Sequence, residues 1–148
     1  MDMGQDPQRI WWRLLGWSFL LGALIDLSFG IGALAFPQKL AAWFNVALAP
    51  RGVAVHADLN GLLLIGLGAI YLQVFRDPRR LVSVAATATL LRFGGFALFY
   101  GDVLAGKAER FFLAVGSVDA ALAMVHLLLI RLAAGSLVGA LIGKERAA

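Results

Sequence analysis

Residues 87–102 read TATLLRFGGFALFYGD. Arg92 is the only charge in this stretch before Asp102 closes it, and the apolar block to which it belongs runs from Leu81 to Gly101. A bilayer core about 30 Å thick is crossed by roughly 20 helical residues at 1.5 Å each, so this block is long enough to span. Three others qualify by the same measure: Ile10 to Phe36, Val53 to Phe75 and Phe111 to Ala133. The expected fold is all-α, an integral membrane four-helix bundle forming a single transmembrane domain over residues 1–148 with a short cytoplasmic C-terminal tail.

Composition agrees with that reading. Hydrophobic residues make up 61% of the 148 and charged residues 15%, a balance outside the soluble globular range. The net charge of +4 is not a nucleic-acid signal, because the Lys and Arg side chains stand at the ends of the apolar blocks. Cysteine is absent, which excludes disulfides, thiolate metal sites and a cysteine nucleophile.

Basic residues orient the bundle. Arg9, Arg13, Arg76, Arg79, Arg80, Arg131, Lys144 and Arg146 fall on one side, and only Lys39, Arg51, Lys107 and Arg110 on the other. The positive-inside rule therefore places both termini of this multi-pass chain in the cytoplasm. The first block ends in ALA at 33–35 after two arginines, like a secretory signal. Its apolar stretch is too long for one and contains Asp26, so an uncleaved span is expected.

Between the first two spans, PQKLAAWFNVALAPRG (37–52) is bracketed by Pro37 and Pro50. Leu40, Trp43, Phe44 and Val46 to Leu48 predict a short helix in the membrane interface. The turn RDPRR (76–80) makes spans two and three antiparallel neighbours. Trp11, Trp12, Trp17, Trp43 and Tyr100 fall near the interfaces as an aromatic belt.

An ionisable side chain inside a bilayer is costly unless paired or hydrated. Counted from the Pro37 end of the bundle, Asp26 lies about 15 Å deep, Asp58 about 7 Å, Asn60 about 10 Å, Arg92 about 13 Å and Asp119 about 12 Å. Their faces also fit: Gly22, Asp26, Gly30 and Ala33 form one small-residue stripe, and Asp58, Gly61, Ile65 and Gly68 another. Arg92 shares its side with Ala85, Ala88, Thr89 and Gly95, and Asp119 shares its side with Gly116, Ala123 and His126. Gly94 and Gly95 would let another helix approach. The predicted binding cluster is therefore Asp26, Asp58, Asn60, Arg92 and Asp119, with Tyr100 nearby. Three acids against one guanidinium do not balance, so a shared proton, a cation or a polar ligand is expected to complete the set.

His56 and His126 are candidate axial ligands for a haem or pigment. Counted the same way, they lie about 4 Å and about 22 Å deep, so they could serve only singly. No metal-ligand spacing such as HxxxH occurs, and the glycines in GLGAIYL and RFGGFALFYG lack the strand-to-helix context of a phosphate loop.

The layout resembles the DoxX-like group of small bacterial four-helix membrane proteins. The resemblance is carried by the 37–50 segment, HADLNGLLLIGLGAIYL opening span two, RDPRR, and the arginine in LLRFGG. It implies an accessory membrane subunit near a quinone or other lipophile, and on it the bacterial inner membrane is the expected location. The leading expectation is thus a non-catalytic accessory or assembly subunit, with other membrane subunits or further copies of itself as partners. The alternatives are a small membrane enzyme or proton-linked carrier using Asp119 or Asp26 with Arg92, and a pigment- or haem-binding subunit.

Overall fold

The computed structural model describes residues 7–44 and 54–143. Among the described residues there are four long helices, α1 (Pro7–Ala35), α3 (Ala54–Arg76), α4 (Val82–Leu104) and α5 (Phe111–Ala134), with a short α2 (Pro37–Phe44) after the first and a short α6 (Leu137–Leu141) after the last. All four long helices are long and apolar enough to cross a membrane. The chain is an all-α integral membrane bundle.

The breaks between helices follow local chemistry. Pro37 has no N–H to donate and starts α2 afresh, although the Leu40 amide still reaches the Phe36 carbonyl at 3.0 Å. None of the α2 side chains is buried, and Trp43 is 80% exposed, as an interfacial anchor would be. The Val46 to Leu48 part of the expected helix lies outside the described residues.

At the opposite end, Asp77 accepts a hydrogen bond from the Arg80 amide at 3.1 Å, and Pro78 fixes the next φ angle. Gly106, with φ +69°, turns the chain out of α4, and the Lys107 amide closes that turn on the Asp102 carbonyl at 2.8 Å. Gly135, with φ +90°, ends α5. The Ser136 hydroxyl then accepts from the Gly139 amide at 2.9 Å to start α6. This small helix folds back onto α4 and α5 and buries Ala140 completely. From sequence the segment is expected only as part of the short C-terminal tail.

Glycine sets how closely α1 and α3 approach. A Cβ on Gly30 would stand 2.7 Å from the Gly61 carbonyl oxygen and 2.8 Å from Ile65 Cγ1, and one on Gly68 would stand 2.7 Å from Leu27 Cγ. With little hydrophobic drive between helices in lipid, such approach is what gains dispersion contact. Gly30→Ala is expected to cost about 1–3 kcal/mol, the usual range for overpacking, because the obstacle is backbone and cannot rotate away. Reversible unfolding in bicelles would measure it.

The tightest core lies toward the 76–81 turn, where Leu15, Phe19, Tyr71, Val74, Ala85 and Ile130 are fully enclosed. Trp12, expected in the aromatic belt, is buried there too, with the Arg79 guanidinium 5.6 Å over its ring. Around the bundle the strong pairings are α3 with α1, α1 with α5, and α5 with α4. Although the 76–81 turn joins α3 to α4, these two share few contacts and leave a groove between them. The reason is that α3 turns its glycine stripe to α1, while α4 packs its small residues Ala85, Ala86 and Thr89 into the core.

Candidate functional site: a bridged arginine at the bundle centre

Arg92 is 4% exposed and reaches two helices at once. Its Nη2 donates to Asp26 Oδ2 at 2.9 Å, and its Nη1 donates to Asp119 Oδ1 at 2.5 Å. The guanidinium therefore forks between carboxylates of α1 and α5, one nitrogen each. Its central carbon lies over the Tyr71 ring of α3, 4.9 Å from the centroid, a cation–π distance. One side chain on α4 thus touches all three other spans.

Two glycines make the fit possible. A Cβ on Gly22 would stand 3.1 Å from Arg92 Nη2 and 3.2 Å from the Tyr71 ring, and a Cβ on Gly95 would stand 2.8 Å from Asp119 Oδ2. Gly94 has nothing near it and is exposed, so of the two neighbouring glycines only Gly95 admits the partner helix.

Three of the six residues expected at this site, Asp58, Asn60 and Tyr100, stand apart from Arg92. Asp58 is exposed and makes no ion pair among the described residues. The register explains why: Gly30 faces Gly61 and Ile65, and Gly16 faces Phe75, so Asp26 is level with about residue 66 of α3. Asp58, eight residues further on, then stands about 12 Å away along the axis, level with the last turn of α1. Asn60 is likewise exposed.

Tyr100 is also elsewhere. Its hydroxyl is 2.7 Å from Ser117 Oγ, which in turn donates to the Leu113 carbonyl, so it clasps α4 to α5 two turns from Arg92. Asp58→Asn is accordingly expected to change stability by less than about 0.5 kcal/mol, as an unpartnered surface change does. Asp26→Leu should cost several times more, and thermal unfolding of the two variants side by side would separate them.

Tyr71 is the member that sequence reasoning missed. It lies three residues beyond Gly68, on the same face of α3, and that continuation of the Gly61–Gly68 stripe was the available signal.

His126 is fully buried two turns from Asp119. It stacks on Phe19 at 4.0 Å and 8°, with the Tyr71 ring edge-on at 6.5 Å. The Ser18 backbone lies beside the imidazole without reaching hydrogen-bond geometry, so neither ring nitrogen has a partner. A macrocycle bound here would have to displace Phe19. His56 lies in α3, with its side chain outside the described residues. No three His, Asp or Glu side chains gather closely enough for a metal among the described residues.

No protein-family model, curated protein or solved structure matches the chain.

Proposed function

We propose that this protein is a non-catalytic accessory or assembly subunit of a larger complex in the bacterial cytoplasmic membrane, with both termini in the cytoplasm and a layout akin to the DoxX-like group. In this reading it holds a lipophile, such as a quinone, in the neighbourhood of Arg92. The observation that carries the proposal is that both terminal nitrogens of Arg92 donate to carboxylates of its own chain. A guanidinium held on both sides by α1 and α5 braces three helices, the role of a structural ion-pair network. The lipid-facing side chains, among them Leu21, Leu63, Leu98 and Leu128, leave whole helix faces open to other subunits or to further copies.

The test is native mass spectrometry of the protein extracted in mild detergent from its own membrane. A stoichiometric membrane partner, with or without a bound lipophile, is the expected result, and a protein that travels alone as a single stable copy overturns the subunit reading. A visible spectrum of the same sample reports a haem or pigment directly.

One observation favours a second reading, a proton-linked carrier. Two carboxylates share one guanidinium, and the Asp119 side chain is 19% exposed against 6% for Asp26. In that case Asp119→Asn would abolish proton-coupled flux in proteoliposomes while leaving the bundle folded.

A further inference from the structure

Among the described residues, the end of the bundle at the 76–81 turn carries Arg9, Arg13, Arg76, Arg79, Arg80 and Arg131 against a single acid, Asp77. The far end is balanced, with Lys39, Lys107 and Arg110 against Asp58, Asp102 and Glu109. Orienting the chain in a membrane requires the excess, but not any particular placement of it. Arg80 is placed at the mouth of the groove between α3 and α4. The Leu81 amide donates to the Asp77 carbonyl at 3.1 Å and the Ala85 amide to the Leu81 carbonyl at 2.9 Å, so the turn already winds as α4 does. Arg80, Val84, Thr87 and Leu91 therefore form one helical row, and the last three wall the groove, opposite Leu67 and Ile70 of α3. Arg80 is exposed and makes no ion pair among the described residues, and Asp77 accepts its backbone amide instead. Ser83 brings a hydroxyl to the groove at the same end.

We infer that this groove seats one acyl chain of an anionic phospholipid, whose phosphate is held by Arg80 at the groove mouth. Such a lipid belongs to the leaflet that the 76–81 turn faces, and its binding does not depend on a lipophile near Arg92. Depth agrees: from Arg80 to Leu91 the helix rises about 16 Å, close to half of a hydrocarbon core about 30 Å thick. The wall suits a chain, because the Thr87 hydroxyl is already spent on the Ser83 carbonyl at 2.9 Å. The head is selected by charge, since a guanidinium forks onto phosphate and an uncharged lipid offers it no counterion. Size and charge both argue against a second copy. A helix about 10 Å across does not enter a groove of about 230 Å³, and copies of one orientation would set two arginine-rich ends side by side. In addition, α4 has no acidic residue in its first turn and no side-chain cap, so its dipole adds to the arginine.

The probe is phosphatidylglycerol with a diazirine midway along one acyl chain, photolysed on the full-length protein in phosphatidylcholine nanodiscs and mapped by peptide mass spectrometry. Labelling at Leu67, Ile70 or Leu91 is expected, displaced by unlabelled phosphatidylglycerol and not by the same amount of added phosphatidylcholine. Arg80→Gln, an exposed change that leaves the bundle folded, should weaken displacement roughly fivefold, the usual worth of one arginine at an anionic lipid surface. Arg9→Gln removes the same charge from the same end, on α1 and off the groove, and should leave displacement unchanged. Val84→Trp fills the groove and should abolish the displaceable signal. Displacement by phosphatidylcholine as good as by phosphatidylglycerol, labelling that maps away from α3 and α4, or an Arg9→Gln loss equal to that of Arg80→Gln overturns the site. A groove closed to the probe in a protein that runs as a dimer gives it to a second copy and overturns the lipid.

Discussion

Arg92→Met should lower the stability of the bundle by about 3–5 kcal/mol, the largest loss expected from any single polar substitution. Methionine matches the length of the arginine stem and fills its space, so the loss is electrostatic in origin. Removing one partner of a buried pair leaves uncompensated charge, and that typically costs this much. Here the substitution strands two carboxylates, on α1 and α5, and exposes the Tyr71 face from which the guanidinium has gone. A bilayer sharpens the effect, because a carboxylate at this depth has neither water nor a second cation to turn to. Arg92→Lys should recover only part of the loss, since an ammonium is a point charge and cannot fork between Asp26 and Asp119 as a planar guanidinium does. Steric trapping or reversible denaturation in bicelles gives the number.

Phe19→Ala should be the most costly apolar substitution, at about 3 kcal/mol, the low end of the range for truncating a buried phenylalanine. Phe19 is fully enclosed, stacks on His126 and meets Tyr71 edge-on at 5.1 Å, so its removal empties the space between α1, α3 and α5. The low end applies because the unfolded helices remain in lipid, and the water-transfer part of the penalty largely cancels. What remains is lost dispersion contact and a cavity beside the unpartnered imidazole. Phe19→Leu, which keeps most of the volume, should cost less than about 1.5 kcal/mol. The same unfolding assay, run on both variants, checks the ordering.

How much of this could be read from sequence depended on whether one helix or several fixed the answer. The four spans follow from length and hydropathy alone, and Asp26, Arg92 and Asp119 were legible because depth and a small-residue stripe are properties of each helix by itself. Asp58 satisfied the same two criteria and still stands apart. The register of α3 against α1 sets it about 12 Å along the axis from Asp26, and no inspection of α3 alone reveals that. Of Gly94 and Gly95, only the latter faces α5, and successive helical residues differ by about 100° in direction, more than a sequence count of faces resolves.

Two features lay beyond sequence altogether. The five residues of α6 are too few for any periodicity to register, and only packing on α4 and α5 makes them a helix. The groove exists because α3 and α4, adjacent in the chain, each prefer another neighbour. The turn RDPRR dictates that they run antiparallel, but it does not make them pack.

The central claim is that Arg92 stands in the bundle to balance Asp26 and Asp119. The most direct test is to compare the stability of Arg92→Met with that of Arg92→Met combined with Asp26→Asn and Asp119→Asn. With no stranded carboxylates left, the triple variant should regain at least about half of the loss, a coupling of roughly 2 kcal/mol or more between the arginine and its acids. A triple variant as unstable as the sum of its separate substitutions would show that the three side chains do not act on one another, and would contradict the account.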